Sequence, residues 1–274
     1  MTFSNRTLFG LSLIVAGIYL FVTAPPPLEE EKSIQTERTY PVKVLFDILA
    51  EEQSIARTIY TAQIVGPGIK SGLKFSEEWT HTDVEAGPLP ALLLREVSSR
   101  MQRNGSNVGL FLGSDFPIAS VNQFSSAQQT HFDTMKETRK PAYFLDESNQ
   151  MYTAMYVDPA SATPCVSCHN NHPNSPKTDW QMGDPMGATT WFYPKERVTM
   201  EEILTCVELL RTAILDSYTV YLEKSNDFST PVTIGAQWPK DGMYLPDANT
   251  FKAEFTARSS KSSMTTLLES LDTP

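Results

Sequence analysis

Residues Pro164–Ala188 read PCVSCHNNHPNSPKTDWQMGDPMGA. The stretch begins with Cys165-x-x-Cys168-His169, the spacing of the attachment signature for c-type haem. The spacing has a chemical reason, because two thiols must add to the two vinyl groups on one edge of a porphyrin while the next residue presents an imidazole to the iron. The motif therefore predicts one covalently attached haem c per chain, with Cys165 and Cys168 as the thioether residues and His169 as the proximal iron ligand.

Three other interpretations of the motif are a redox dithiol, a structural zinc site and a chance match. A redox dithiol usually opens a helix beside a βαβ pattern, whereas Pro164 and a polar loop are expected around this motif. A structural zinc site needs four ligands at suitable spacing. Cys165, Cys168, His169 and His172 could supply them, but all four fall within eight residues. Haem attachment is the favoured interpretation.

Large apolar side chains follow the motif closely. Trp180 is a candidate for the wall of the haem pocket, although the same residue type also fills ordinary protein cores. Met182 and Met186 offer thioethers and His131 offers an imidazole as the sixth iron ligand, and the sequence leaves the choice among these three open. His172 follows His169 too closely to reach the opposite face of the same haem.

The same stretch resembles the PAS-like c-type haem proteins of cyanobacteria and the related extracytoplasmic haem sensor domains of membrane signalling proteins. The resemblance rests on the haem-attachment motif, the proline-containing loop and a set of residues that lead into a strand: Lys177, Asp179, Trp180, Gly183, Asp184 and Gly187. It implies a PAS-like antiparallel sheet that holds the haem at one end. Members of this family can supply a sixth-ligand cysteine from an N-terminal helix, but this chain has no cysteine before Cys165.

Hydrophobic periodicity predicts an α+β fold for the rest of the domain, with an antiparallel sheet and flanking helices. Helices are predicted at Val42–Val65, Pro88–Met101, Ser125–Thr138 and Met200–Lys224. Strands are predicted at Val108–Leu112, Ala142–Leu145, Gln150–Val157 and Met186–Tyr193. Thr199 is positioned to cap the last helix.

An uncharged run, Thr7–Ala24, lies near the N-terminus. Its 18 residues would span about 27 Å as a helix, close to a bilayer core of about 30 Å. A cleaved signal peptide is the alternative, and proline directly after Ala24 disfavours cleavage there. The sequence thus predicts one transmembrane helix in a membrane anchor over residues 1–27, a linker over 28–38, the PAS-like haem domain over 39–224 and a C-terminal extension over 225–274.

The position of Arg6 before the uncharged run favours a haem domain outside the cytoplasm. The predicted location is therefore a single-pass protein of a bacterial inner membrane, with the haem domain in the periplasm and the membrane as a partner. The formal net charge of −10 argues against a nucleic-acid partner, because phosphate binding needs a basic surface. The same charge is compatible with a basic redox or signalling protein as partner.

No second haem motif, nucleophile-elbow serine motif or phosphate-binding loop occurs in the sequence, so no enzymatic activity is expected. The predicted function is a redox or small-ligand sensor module that acts through a partner. The alternative is an electron carrier or haem-bearing accessory subunit that docks to a membrane oxidoreductase.

Overall fold

The protein consists of helices around one central antiparallel sheet. This computed structural model describes Tyr19, residues 38–235, Trp238 and residues 244–271. In chain order the elements are β1 (Thr39–Pro41), α1 (Val42–Ile59), a π-helical turn (Tyr60–Val65), α2 (Gly66–Lys70), β2 (Phe75–Ser76), β3 (Gly87–Pro88), α3 (Pro90–Arg103), β4 (Gly109–Gly113), a 3-10 turn (Ser120–Asn122), α4 (Ser126–Thr138), β5 (Ala142–Asp146), β6 (Met151–Pro159), α5 (Thr163–Asn171), β7 (Pro185–Tyr193), β8 (Arg197–Thr199), α6 (Met200–Ser225), β9 (Thr233–Gly235), β10 (Tyr244–Pro246) and α7 (Ala248–Leu271).

The central sheet has the strand order β4-β7-β6-β5, and all of its neighbouring strands are antiparallel. Successive side chains of a strand point to opposite faces, and both faces of this sheet are covered. Trp191 and Tyr193 of β7 are buried in the main core with α1 and α6, while Met155 and Ala188 pack with Phe132 of α4 on the other face. The sheet therefore lies between the long helices and α4.

Two of the helices that flank the sheet, α4 and α6, begin with capping boxes. Ser125 and Gln128 exchange side-chain and backbone hydrogen bonds at the start of α4. Thr199 and Glu202 do the same at the start of α6, which confirms the predicted cap. These reciprocal bonds satisfy backbone N–H groups that have no partner within the helix.

A buried ion pair fastens α7 to α1 and α6. The Glu52 carboxylate of α1 is fully buried and accepts two hydrogen bonds from the Arg211 guanidinium of α6. It also accepts a hydrogen bond of 2.7 Å from the Ser263 hydroxyl of α7. A buried carboxylate is tolerated only when it is paired and hydrogen-bonded, so the three helices depend on one another at this point.

The α+β prediction is confirmed in so far as helices and an antiparallel sheet are mixed. The predicted strands and long helices are found within a few residues of their expected positions. Two elements differ from expectation. The haem-attachment motif, which was expected in a loop, lies on α5, and the C-terminal extension, for which no helix was predicted, contains the long helix α7.

The prediction of a PAS-like sheet preceded by a transmembrane helix is wrong. The four strands of the central sheet, in the order β4-β7-β6-β5, do not reproduce the strand order of a PAS domain. Apart from Tyr19, the predicted anchor over residues 1–27 lies outside the described residues. Within the part of the chain that the structure describes, no helix is long and apolar enough to cross a membrane, since the longest ones, α6 and α7, carry charged residues along their length. The predicted single-pass inner-membrane location is corrected accordingly.

Candidate haem site

The haem-attachment motif lies on α5, which begins four residues after β6 ends. Pro164 is in the first turn, where the missing N–H costs no helical hydrogen bond. Because residues three and four positions apart are neighbours on a helix surface, Cys165, Cys168 and His169 lie on one side of α5. Both cysteines are free, half-buried thiols. The short helix thus presents two thiols and an imidazole side by side.

The His169 side chain is half-buried against the indole of Trp180. The two rings are edge-on, with 6.4 Å between their centroids, and Trp180 is only 5% exposed. Burial lowers the pKa of His169 below its ordinary value, and the neighbouring His172 lowers it further. The imidazole is therefore held toward its neutral form, which is the form that ligates iron.

Two ring nitrogens in this contact are buried without a hydrogen-bond partner among the described residues: Nδ1 of His169 and Nε1 of Trp180. A buried polar atom without a partner costs about 1–3 kcal/mol. An iron-ligating histidine usually donates a hydrogen bond from its second ring nitrogen. A bound group or a water beside Nδ1 of His169 would supply the missing hydrogen-bond partner.

Trp180 is held in place by Asn170 of α5 and by residues of neighbouring loops. The Asn170 side-chain amide donates to the Trp180 carbonyl at 3.0 Å, and the Trp180 N–H donates to the Asn170 Oδ1 at 2.8 Å. The Lys177 ammonium lies 4.7 Å from the centroid of the indole. The Phe116 and Trp180 rings are edge-on to each other, with 6.2 Å between their centroids. These contacts fix the indole beside His169.

The ends of the segment that carries α5 are tied together at the edge of the sheet. The Gly183 N–H donates to the Ala160 carbonyl at 3.0 Å, and the Ala160 N–H donates to the Asp184 carbonyl at 2.8 Å. Gly183 has φ of +86°, a conformation that glycine adopts without steric cost. The Arg139 guanidinium donates to the Gly183 carbonyl at 3.0 Å. The motif is therefore anchored to the sheet on both sides.

The close approach of β7 to β4 requires a glycine at position 187. A Cβ atom at this position would lie 2.2 Å from the carbonyl oxygen of Gly113 on β4. Any side chain would therefore force the two backbones apart.

The three candidates for the sixth ligand lie in different surroundings. Met182 is 56% exposed, Met186 is half-buried on β7, and His131 of α4 stacks on Phe144 with 3.8 Å between the ring centroids. In the described part of the chain, no ring contact or hydrogen bond joins any of the three to His169. Trp180 thus contacts His169, whereas none of the three candidates does so among the described contacts.

His172 and Cys206, the remaining histidine near the motif and the cysteine outside it, make local contacts. His172 accepts a hydrogen bond at Nδ1 from the Asn174 N–H at 3.1 Å, and its Nε2 lies 3.5 Å from the Glu77 carboxylate. Cys206 is buried on α6, where burial raises the pKa of its thiol to about 11. Both residues are used in packing and loop contacts.

Sequence reasoning missed Asn170, Phe116 and Glu77. Asn170 and Glu77 gave no signal in the sequence, because their contacts with Trp180 and His172 form only when the chain is folded. Phe116 is a large apolar residue that is 40% exposed, but exposure is visible only in the structure.

The donor set of α5 fits a haem c group. α5 carries two neighbouring free thiols of the kind that form thioethers, and an imidazole of the kind that ligates iron, with one buried ring nitrogen that has no partner among the described residues. Among the described residues, no three histidine, cysteine, aspartate or glutamate side chains converge on a point suited to a metal ion. The zinc interpretation of the motif therefore gains no support.

Comparison with known families agrees with this site. Residues 32–194 match the family described as Tll0287-like. The chain belongs to the Tll0287-like family. It is a cyanobacterial family of PAS-like domains that bind haem c, so the broader resemblance stated from the sequence is confirmed. The Tll0287-like match contains all of the site from α1 to β7 and leaves out α6 and α7. No match is found among the curated proteins or the solved structures.

Proposed function

We propose that this Tll0287-like protein carries one haem c, attached through Cys165 and Cys168 with His169 as the proximal ligand. We propose further that it acts as a redox or small-ligand sensor module through a protein partner, without enzymatic activity and without binding nucleic acid. The observation that carries the proposal is the arrangement on α5, where two free thiols and a half-buried imidazole lie together against a buried indole. When bound, haem supplies one-electron chemistry and an iron that can take a further ligand.

The protein's own residues prepare the proximal side. Burial and the nearby His172 favour neutral His169, whose orientation is restricted by Trp180. The Asn170 side chain hydrogen-bonds both the N–H and the carbonyl of Trp180. The indole also excludes water from one side of the imidazole, which strengthens electrostatic interactions there.

A second candidate function is electron transfer to a docked partner. It is favoured by large apolar side chains that are exposed beside the site, namely Phe116 and Met182. Such residues are enriched at protein interfaces. The net charge of −10 would steer a basic partner toward the protein.

Covalent attachment is tested by haem staining of denaturing gels. We expect a stained band for the wild-type protein and for Cys206→Ser, which changes a thiol outside α5, and no band for the double variant Cys165→Ser/Cys168→Ser. Extraction of the haem from the wild-type protein into acid acetone would contradict the proposal.

The two functions are separated by optical spectra of the reduced protein with and without carbon monoxide. A spectrum that changes on addition of carbon monoxide supports a small-ligand sensor. A low-spin spectrum that does not respond supports electron transfer instead.

A further inference from the structure

A cleft of about 730 Å³ lies between α1, the end of β6 and α7. It extends to Ser161 and Ala162, the residues just before α5. The pKa of His169 on α5 is lowered by burial and by His172, and the negative charge of Asp158 in the cleft wall acts in the opposite direction. The cleft therefore lies within electrostatic reach of the proposed iron ligand.

One side of the cleft carries a row of hydrogen-bond donors, which we call the donor row: Gln53, Arg57 and Thr61. These residues follow one another at intervals of four, the spacing of neighbours on one side of a helix. Gln53 and Arg57 belong to α1, and Thr61 belongs to the π-helical turn that continues it. Arg57 thus lies between the other two, about 6 Å along the axis from each.

Both neighbours of Arg57 in the donor row end in a buried polar atom that has no hydrogen-bond partner among the described residues. These atoms are Nε2 of Gln53 and Oγ1 of Thr61, and Gln53 is only 3% exposed. An amide nitrogen can only donate, whereas a hydroxyl can donate or accept. The partner that would satisfy both atoms is therefore a hydrogen-bond acceptor.

Arg57 supplies the positive charge of the donor row. Its Nη1 donates to the carboxylate of Asp158 at the end of β6, and this bond engages one of the five N–H donors that a guanidinium carries. The planar guanidinium matches the geometry of a carboxylate and can bind it through two N–H groups. Arg57 can therefore hold a second carboxylate beside Asp158.

The acidic residues at the start of α1 do not compete for the donor row. Asp47 accepts a hydrogen bond of 2.8 Å from the Tyr156 hydroxyl and another from Tyr143, and it is paired with Lys43. Glu51 is exposed and lies two positions before the donor row begins, and side chains two positions apart on a helix do not face each other. Neither carboxylate is therefore a partner for the donor row.

The acidic residue of the opposite wall, Glu269 of α7, lies toward the start of α1. The Ser263 hydroxyl donates to Glu52, whereas the Arg258 guanidinium lies beside Gln63, so α7 runs antiparallel to α1. Glu269 also has an interaction partner of its own. The negative charge that Arg57 does not balance is thus concentrated at one end of the cleft, and the donors lie toward the other.

We propose that the donor row is a binding site for carboxylate groups. Arg57 pairs with the carboxylate, while Nε2 of Gln53 and the hydroxyl of Thr61 donate to carboxylate oxygens on either side of the guanidinium. Two sources offer this chemistry. The first is the haem propionates, which leave the porphyrin at the edge opposite the vinyl groups, and this source rests on the proposed haem attachment. The second is a free short-chain carboxylic acid.

Reduction potentials of the full-length, haem-loaded protein at a series of pH values test the first source. Gln53→Leu and Thr61→Val each remove a donor without changing the charge. Each should raise by about one unit the propionate pKa that is read from the pH dependence of the potential, because the ionised carboxylate loses a hydrogen bond. Arg57→Gln should raise this pKa at least as much. Arg95→Gln is the matched control, since it removes the same charge from an exposed position of α3 outside the cleft, and should leave the pKa unchanged.

Calorimetric titration of the same haem-loaded protein with butyrate tests the second source, with butyramide as the uncharged counterpart. If the propionates occupy the donor row, the pKa shifts appear and butyrate does not bind. If a free carboxylate is the ligand, the three variants leave the potentials unchanged, butyrate but not butyramide binds saturably, and Gln53→Leu weakens this binding about tenfold. Either result supports the carboxylate site and identifies its source.

Haem staining of every variant separates this proposal from the proposed function. Variants that carry haem and keep the wild-type pH profile, together with no saturable binding of butyrate at millimolar concentration, would overturn the carboxylate site. An equal pKa shift in Arg95→Gln would also overturn it for the haem source, because a general effect of charge would then explain the shift. A wild-type protein without haem would overturn the proposed function instead, and the butyrate titration alone would then decide the carboxylate site.

Discussion

The indole ring of Trp180 lies edge-on to the imidazole ring of His169, with 6.4 Å between the centroids and 88° between the ring planes. This contact joins the loop after α5 to the helix that carries the thiols. Edge-to-face aromatic pairs contribute about 0.5–1.5 kcal/mol beyond the burial of their surface. Trp180 therefore links the stability of the loop to the environment of the proposed iron ligand.

Replacing Trp180 with alanine should destabilise the protein by about 3–5 kcal/mol, the range for removing a large buried aromatic side chain. Trp180→Phe keeps an aromatic edge beside His169 and should cost less than half as much. Urea unfolding of the haem-loaded protein measures both values. A loss below about 1 kcal/mol for Trp180→Ala would show that the loop is held by Asn170 and Gly183 alone.

Replacing Cys206 with serine should leave the haem spectrum unchanged, because Cys206 is buried on α6 and is not part of the motif. The hydroxyl is more polar than the thiol, so stability should fall by about 1–3 kcal/mol. Absorption spectra of oxidised and reduced protein, together with urea unfolding, check the two expectations. A shifted Soret band or a high-spin spectrum would identify Cys206 as an iron ligand.

Replacing Arg211 with methionine should destabilise the protein by about 3–5 kcal/mol, because the fully buried Glu52 carboxylate loses its cation. Glu52→Gln should cost less, since a neutral amide replaces the charge. In a double-mutant cycle the combined variant should recover part of the loss of Arg211→Met. Strictly additive losses in urea unfolding would mean that the two side chains do not interact.

Stability should depend on pH through Glu202. Hydrogen bonds from Lys195 and from the Thr199 N–H lower the pKa of the Glu202 carboxyl. A carboxyl whose pKa is lower in the folded chain stabilises the fold above the unfolded-state pKa, and this stabilisation is lost as the pH falls through the folded-state value.

The free-energy difference between the wild-type protein and Glu202→Gln should therefore be largest at neutral pH, at no more than about 1 kcal/mol. It should shrink as the pH falls below about 4.5, the ordinary pKa. Urea unfolding at a series of pH values measures it, with Glu201→Gln in the same helical turn as control. A difference that is constant from neutral to acidic pH would contradict the expectation.

The haem-attachment motif could be identified from five residues because its chemistry is local: two thiols and an imidazole act at fixed spacing. The strands and long helices were equally accessible, since their periodicity reflects burial on one side. The helical structure of α5 could not be predicted, because Pro164 and the polar residues around the motif are typical of a loop. In the structure, the proline occupies the first helical turn, where it is well tolerated.

Other features depend on contacts between distant parts of the chain. The helix α7 is rich in serine and threonine, which have low helix propensity, and tertiary packing of Phe251 and Phe255 in the main core stabilises it. The pairing of Asn170 with Trp180 is closer in sequence, but it depends on the path of the loop between them, which the sequence does not indicate. The membrane anchor was inferred from the uncharged run Thr7–Ala24 and the proline that follows it, and no described helix is long and apolar enough to cross a membrane.

The Glu52 ion pair has a consequence for how this protein could have evolved. Glu52 lies within the region that matches the family, whereas Arg211 and Ser263 come from helices beyond it. A recombination event that moved only the matched region to another protein would leave a carboxylate in an apolar interior without its partners. By this argument the Tll0287-like region of this chain is not an independent module, because its interior carboxylate depends on α6 and α7.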